Sequence, residues 1–310
     1  MNKLFLTLLM LLGFTFSLSA QDDMMKLLDQ NEKKEREKVI ATFKTTKVIN
    51  AQSNETVHKR VLDFRVAHRF GNMGTASNGG IHTLYGLDNS SDIRIAFEYG
   101  ITERLTAGVS RSKYRENLEG LVKYKILEQT NDNHFPVALT VFSNMVVTPE
   151  KDNAGIFSVT ENGQTKKRDI RRLSYNTQLI VARKFSPSIS AQLMGSVTHR
   201  NYAPDYRDDN QLYAVGAAFR VKVTRSMTII ADYYYTINKF HRTVKNANGD
   251  LQFFDPLGAG IEFETGGHVF SLMFTNASSI NEPDMFASTT DSWGQGGYKF
   301  SFNISRNFRL

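Results

Sequence analysis

The chain has 310 residues, no cysteine and a formal charge of +7, with 41% hydrophobic and 22% charged residues. This length allows one large or two small domains, and a mean hydropathy of −0.35 excludes a multi-helix membrane protein. It does not exclude a transmembrane β-barrel, whose lumen and loops are polar, and without cysteine no disulfide and no thiol-linked lipid is expected.

Residues 1–20 have the three parts of an export signal. Asn2 and Lys3 give a positive start, Leu4–Phe16 an apolar run, and Ser17–Ala20 small residues for cleavage before Gln21. Residues 21–60 form a periplasmic N-terminal segment of different character. Asp22–Lys38 reads as a short helix with Glu32–Arg36 and Lys33–Glu37 at i,i+4 spacing. Residues 39–54 (VIATFKTTKVINAQSN) have β-branched and aromatic residues without a clean period. They can cross a barrel mouth, plug a lumen or add a strand; an ordered tether is the simplest reading.

From Val61 the pattern is period two, which gives each strand one apolar and one polar face. Leu62, Phe64, Val66 and Phe70 mark the first strand, and a Gly/Asn/Ser loop follows over 71–91. Asp92–Arg111 is a hairpin: Ile93, Ile95, Phe97 and Tyr99, a tight turn, then Leu105, Ala107 and Val109. Further strands are centred on Val122, Val141, Leu179, Leu193, Phe219, Tyr233, Ile261 and Leu272, and the last alternates Tyr298, Phe300, Phe302 and Ile304. About 12 strands result, near the ~9–11 residues that a tilted barrel wall requires. Connections alternate long and short, apart from a brief reversal at 114–117. With both chain ends periplasmic, tight turns face the periplasm and long loops the exterior.

Mid-strand charges (Arg65, Arg94, Lys123, Asp232, Glu262) share the polar face, while apolar-face charges such as Arg111 and Arg183 fall at strand ends. A lipid-facing Arg or Lys at mid-membrane costs ~2–4 kcal/mol, so this distribution points the apolar face outward. The fold class is therefore all-β: a single antiparallel, up-and-down transmembrane barrel over 61–310, with a short N-terminal periplasmic helix or extension. The aromatic last strand suits barrel-assembly machinery, and the basic surplus suits outer-membrane lipid and lipopolysaccharide phosphates. An exported chain without a compact Lys/Arg run is not expected to bind nucleic acid.

The stretches VIATFKTTKVINAQSNETV (39–57), VLDFRVAHRFG (61–71) and DIRIAFEYGITERLTAGVSR (92–111) resemble an uncharacterised outer-membrane β-barrel family of Gram-negative bacteria, a domain of unknown function. The resemblance implies a barrel in the outer membrane and supplies no activity or site residues.

Candidate lumen residues are the inward charges. Arg65, Arg69, Arg94, Glu98, Lys123 and Lys125 form a net-basic wall, and Asp232, Glu262 and Glu264 an acidic one opposite. Opposed walls create a transverse field that orients small polar or anionic solutes in a pore; equally, the charges can pair and fill the lumen. The leading expectation is a passive pore or solute-binding barrel. The alternative is a closed structural or interaction barrel that acts through its extracellular loops. A membrane-embedded hydrolase is the third reading, but His199 and His68 have no partnering serine at matching depth. The remaining histidines and the acidic loop over 205–209 lack metal-ligand spacing, so no catalytic residue, metal or cofactor is expected.

Overall fold

The computed structural model describes residues 36–153, 155–161 and 164–310. The export signal and nearly all of the expected helix over 22–38 lie outside the described residues. Residues 38–310 form one compact unit.

Its wall is a closed antiparallel barrel of 12 strands. They are β1 Val61–Asn72, β2 Ser90–Gly100, β3 Leu105–Ser112, β4 Leu118–Leu127, β5 Ala138–Val147 and β8 Leu173–Lys184. Next come β9 Ile189–Arg200, β10 Gln211–Lys222, β11 Met227–Ile237, β12 Leu257–Thr265, β13 His268–Thr275 and β14 Lys299–Arg309. Each strand pairs with its neighbours in sequence, and β1 with β14 closes the cylinder, Val61 opposite Arg309. A small hairpin, β6 Ser158–Glu161 with β7 Gln164–Lys167, stands apart from the wall within the 148–172 loop, which the sequence pattern leaves as a plain loop. Two short helices, α1 Lys239–Thr243 and α2 Glu282–Ser288, occupy the last two long connections.

Three of the short turns use the same local chemistry. Thr102, Ser186 and Thr224 each accept, on the side-chain oxygen, the backbone N–H groups two and three residues on. That hydroxyl replaces ladder bonds which the reversing chain cannot make.

The apolar face points out. Leu193 is 66% exposed, Val109 61% and Phe219 53%, while alternate neighbours such as Met194, Ser110 and Arg220 are buried. A continuous exposed band of this size is unfavourable in water and favourable against lipid. The same alternation in a soluble sandwich would have the opposite sense.

The interior differs from the expected polar tube in two respects. First, inward positions on β5 and β8–β11 carry apolar side chains: Phe142, Ile180, Met194, Leu212 and Ile230. Second, two pieces of chain fill the lumen. From the short-turn mouth, residues 41–57 enter as a loop and return to β1, so the segment is a plug rather than a tether. From the long-loop mouth, residues 276–289 fold inward, and Glu282 on α2 is wholly buried. The last long connection is thus not an external loop.

Candidate functional site: a plugged lumen beneath a long-loop vestibule

The plug is a β-hairpin. Lys47 and Gln52 pair across it, the Val48 amide donates to the Ala51 carbonyl (2.8 Å), and the Ser53 amide donates to the Thr46 carbonyl (2.9 Å). Its tip presents three successive amides to one carboxylate. Ile49, Asn50 and Ala51 donate to Asp232 Oδ2 at 3.0, 2.6 and 2.8 Å, and Asn50 Nδ2 donates to Oδ1 at 2.9 Å. Convergent amides of this kind make an anion nest, here filled by a side chain of the wall. Gly258 on β12 makes room for the tip: a Cβ there would lie 2.6 Å from Ile49 Cγ2 and 2.9 Å from Asn50 Nδ2.

Most of the sequence-predicted lumen residues bind this hairpin. Lys123 Nζ donates to the carbonyls of Thr46 (2.6 Å) and Ser53 (3.0 Å). Thr46 Oγ1 donates to Glu98 (2.7 Å) and accepts from Arg65 (2.8 Å). Arg69 donates to Asn50 Oδ1 (2.8 Å) and to the Ala277 and Ser279 carbonyls of the inward loop. Nearer the short-turn mouth, Lys125 pairs with Glu55 (3.4 Å) and Glu264 with Lys44 (2.6 Å). Glu264 is exposed at the rim rather than within the lumen. Glu262 approaches Arg220 of the wall at 3.7 Å. Arg94 takes no part in binding the hairpin; its Nε and Nη2 both donate to Glu119 (3.0 and 2.8 Å).

This geometry corrects the expectation of opposed charged walls. Asp63, Asp92 and Glu119 are buried among the basic residues of β1–β4, and Asp63 pairs with Arg65 at 2.7 Å. The basic wall is neutralised in place, and Asp232 faces amides rather than a solute path. Inward residues of the same strands supply the missing carboxylates: Asp63 and Asp92 two residues before Arg65 and Arg94, and Glu119 four before Lys123. The inward parity of Asp63 and Glu119 is the signal that would have found them.

Two inserts meet at mid-lumen. Lys47 Nζ and Gln52 Nε2 of the hairpin donate to Glu282 Oε1 at 2.6 and 2.9 Å, and Asn144 Nδ2 on β5 donates to Oε2 at 2.8 Å. The lumen is thereby divided. The hairpin covers the polar side of β1–β4. α2 covers the apolar side, with Phe286 edge-on to Tyr234 (4.9 Å) and Met285 in the same cluster. Glu282 and Lys47, both central, lie in a strand-to-strand connection and in an aperiodic segment where strand parity assigns no facing, so pattern reading misses them.

Above α2, the long loops enclose a vestibule of about 610 Å³. Loops 148–172, 201–210 and 238–256 form its sides, and Asp284, Ala287 and Ser288 its floor. Arg115 spans floor and side, reaching Asp284 (3.2 Å) and Glu150 (3.5 Å). It does so from a left-handed backbone (φ 50°) followed by Glu116 (φ 57°), a conformation that bulky L-residues adopt only under local constraint. Behind the rim, Asp208 accepts from Arg200 (2.9 Å), Asn238 (3.0 Å) and His241 (3.2 Å). Burial raises the Asp208 carboxyl, but the His241 and Arg200 hydrogen bonds outweigh it and hold the group below its ordinary value. His199 is exposed on the outer face beside Asn201, and His68 stacks on Phe302 with Phe70 tilted against it. Among the described residues no group of His, Asp and Glu is arranged to hold a metal.

A closed cylinder with a lipid-facing apolar band and a polar mouth at each end is a membrane-spanning β-barrel. A family model described as a membrane-bound β-barrel domain (DUF5777) matches residues 43–308, and the chain belongs to that family. The matched domain begins inside the plug, at Phe43, so the hairpin is part of the family's domain. No curated protein matches the chain. Solved structures of similar shape include the NanC porin, 10% identical, which covers 80% of this chain and 100% of its own at a TM-score of 0.47. The KdgM porin is 7% identical over 81% of this chain and 99% of its own, at 0.43. Omp33 of Acinetobacter baumannii is 8% identical over 81% and 99%, at 0.39.

Proposed function

We propose that this protein is an outer-membrane barrel, closed at rest, that binds small polar solutes at its outer vestibule. In this reading the short turns and both chain ends face the periplasm, and the long loops face outward. The observation that carries it is the meeting of hairpin and α2 through Lys47 and Glu282, which occupies the lumen at mid-height. An open passive pore needs a continuous hydrated path, and that path is taken up by the protein's own chain.

A second reading, gated passage, is favoured by the chemistry of the hairpin contact. Buried ion pairs and hydrogen bonds gain little over hydration of the same groups. Several polar atoms around the hairpin, including Gln52 Oε1, Asn144 Oδ1 and Gln192 Oε1, have no partner among the described residues. Such a surface can exchange the hairpin for water, which a packed apolar core cannot.

Planar-bilayer recording separates the readings. The full chain should show no steady conductance; a constitutive open channel would overturn the closed state. Deleting residues 42–55, alone and with 279–289 replaced by a short Gly/Ser linker, should give stepwise conductance if passage is gated. A folded but silent double variant leaves only the closed, binding barrel.

A further inference from the structure

The vestibule's charges are unequally engaged. Every carboxylate that lines it already has an arginine: Glu150 and Asp284 share Arg115, Asp205 holds Arg207 (2.6 Å), and Asp208 holds Arg200. Two lining cations, Arg171 and Lys245, have no carboxylate partner among the described residues. Arg171 instead lies over the Tyr202 ring (5.5 Å) and donates to the Ile156 carbonyl (2.9 Å). The vestibule therefore has surplus positive charge beside its aromatic faces.

The other lining groups narrow the ligand. Tyr202 from one loop and Phe240 and Phe253 from another put aromatic rings on the lining; Arg171, Arg207 and His241 each cover one face of these rings, and an open ring face packs against the C–H faces of other rings. Ser174, Gln252 and Thr290 line the same space, and their side chains make no hydrogen bond among the described residues. These groups suit hydroxyls. The volume of about 610 Å³ falls within the ~300–1,000 Å³ usual for small-molecule sites.

Resting on the closed, solute-binding reading, we propose that the vestibule is a binding site for an acidic sugar, a hydroxylated ring carrying a carboxylate or phosphate. Arg171 and Lys245 draw the acid, the aromatic faces take the ring, and the unused polar side chains meet its hydroxyls. Because the site opens above the lumen, inside the ring of loops, a free solute reaches it. A phosphorylated sugar of the lipopolysaccharide headgroup carries the same chemistry.

The test is calorimetric titration of the full-length protein in detergent with glucose 6-phosphate and, as the uncharged match, glucose. Saturable binding of glucose 6-phosphate at least tenfold tighter than glucose is expected. Arg171→Ala with Lys245→Ala should weaken glucose 6-phosphate at least tenfold and leave glucose unchanged, while heat-modifiable gel migration shows the barrel intact. Equal binding of both sugars, binding of neither, or undiminished binding by the double variant overturns the site. Purified lipopolysaccharide added as competitor separates the sources: displacement supports the headgroup, and undisturbed binding supports the free solute. None of these readouts depends on conductance, so failure here is distinct from failure of the closed state.

Discussion

Replacing Asp232 with alanine should undock the hairpin while leaving the barrel closed on itself. Four hydrogen bonds converge on this carboxylate, three of them from consecutive amides at the hairpin tip. Hydrogen bonds to a charged acceptor contribute about 1.5–3 kcal/mol each in mutational series. Four do not add, because water admitted to the vacated space re-solvates some of the amides; breaking a buried charged contact costs about 3–5 kcal/mol in total. At about 1.4 kcal/mol per factor of ten, the undocked population should rise by roughly a hundredfold to a few thousandfold. The chain lacks cysteine, so Ser53→Cys, a near-isosteric change at a buried hairpin position, gives a clean reporter. Its modification by a water-soluble thiol reagent should be slow in the parent and accelerate by that factor with Asp232→Ala. Asp232→Asn keeps one acceptor oxygen for the amides and should fall between. If Asp232→Ala yields a folded barrel in which residue 53 labels at the parental rate, Asp232 does not hold the hairpin and the account of the plug is wrong.

Three further outcomes follow from the same geometry. Gly258→Ala places a methyl 2.6 Å from Ile49 Cγ2; overpacking of this kind costs about 1–3 kcal/mol, so residue 53 should again label faster, and unchanged labelling would show that the tip yields freely. Leu193→Arg sets a charge on the lipid face of β9, and folding into lipid vesicles should be weakened by about 2–4 kcal/mol in urea titration, whereas a soluble protein would gain from the change. Asp208 contributes stability to the long loops that is full above the unfolded carboxyl pKa of 3.8 and lost as pH falls through its lower folded value. Amide exchange over 201–210 and 238–243 should therefore stay slow on acidification and quicken only below that range; loosening already near about pH 5 would contradict the Asp208 contacts.

The wall of this protein was legible because strand chemistry is local. Period-two alternation across Ile93–Tyr99 and Leu105–Val109 assigns each side chain a face, and lipid outside makes that assignment binding. Strand number, the alternation of connections, and the inward facing of Arg65, Arg69, Arg94, Glu98, Lys123 and Asp232 all follow from it. Even the short turns carry their cause in the chain, in Thr102, Ser186 and Thr224.

What occupies the cylinder was decided only in three dimensions. Residues 41–57 have no period to read, and Glu282 sits in a connection that looks like any other external loop. Their partners are far away in sequence: Lys47 meets Glu282 across 235 residues, and the hairpin tip meets Asp232 across about 180. Local pattern fixes which way a side chain points, whereas contacts at such separations depend on how the closed wall brings distant segments to one axis. The barrel was written strand by strand; the filling of its lumen arises where two non-strand segments, entering from opposite ends, find each other's charge.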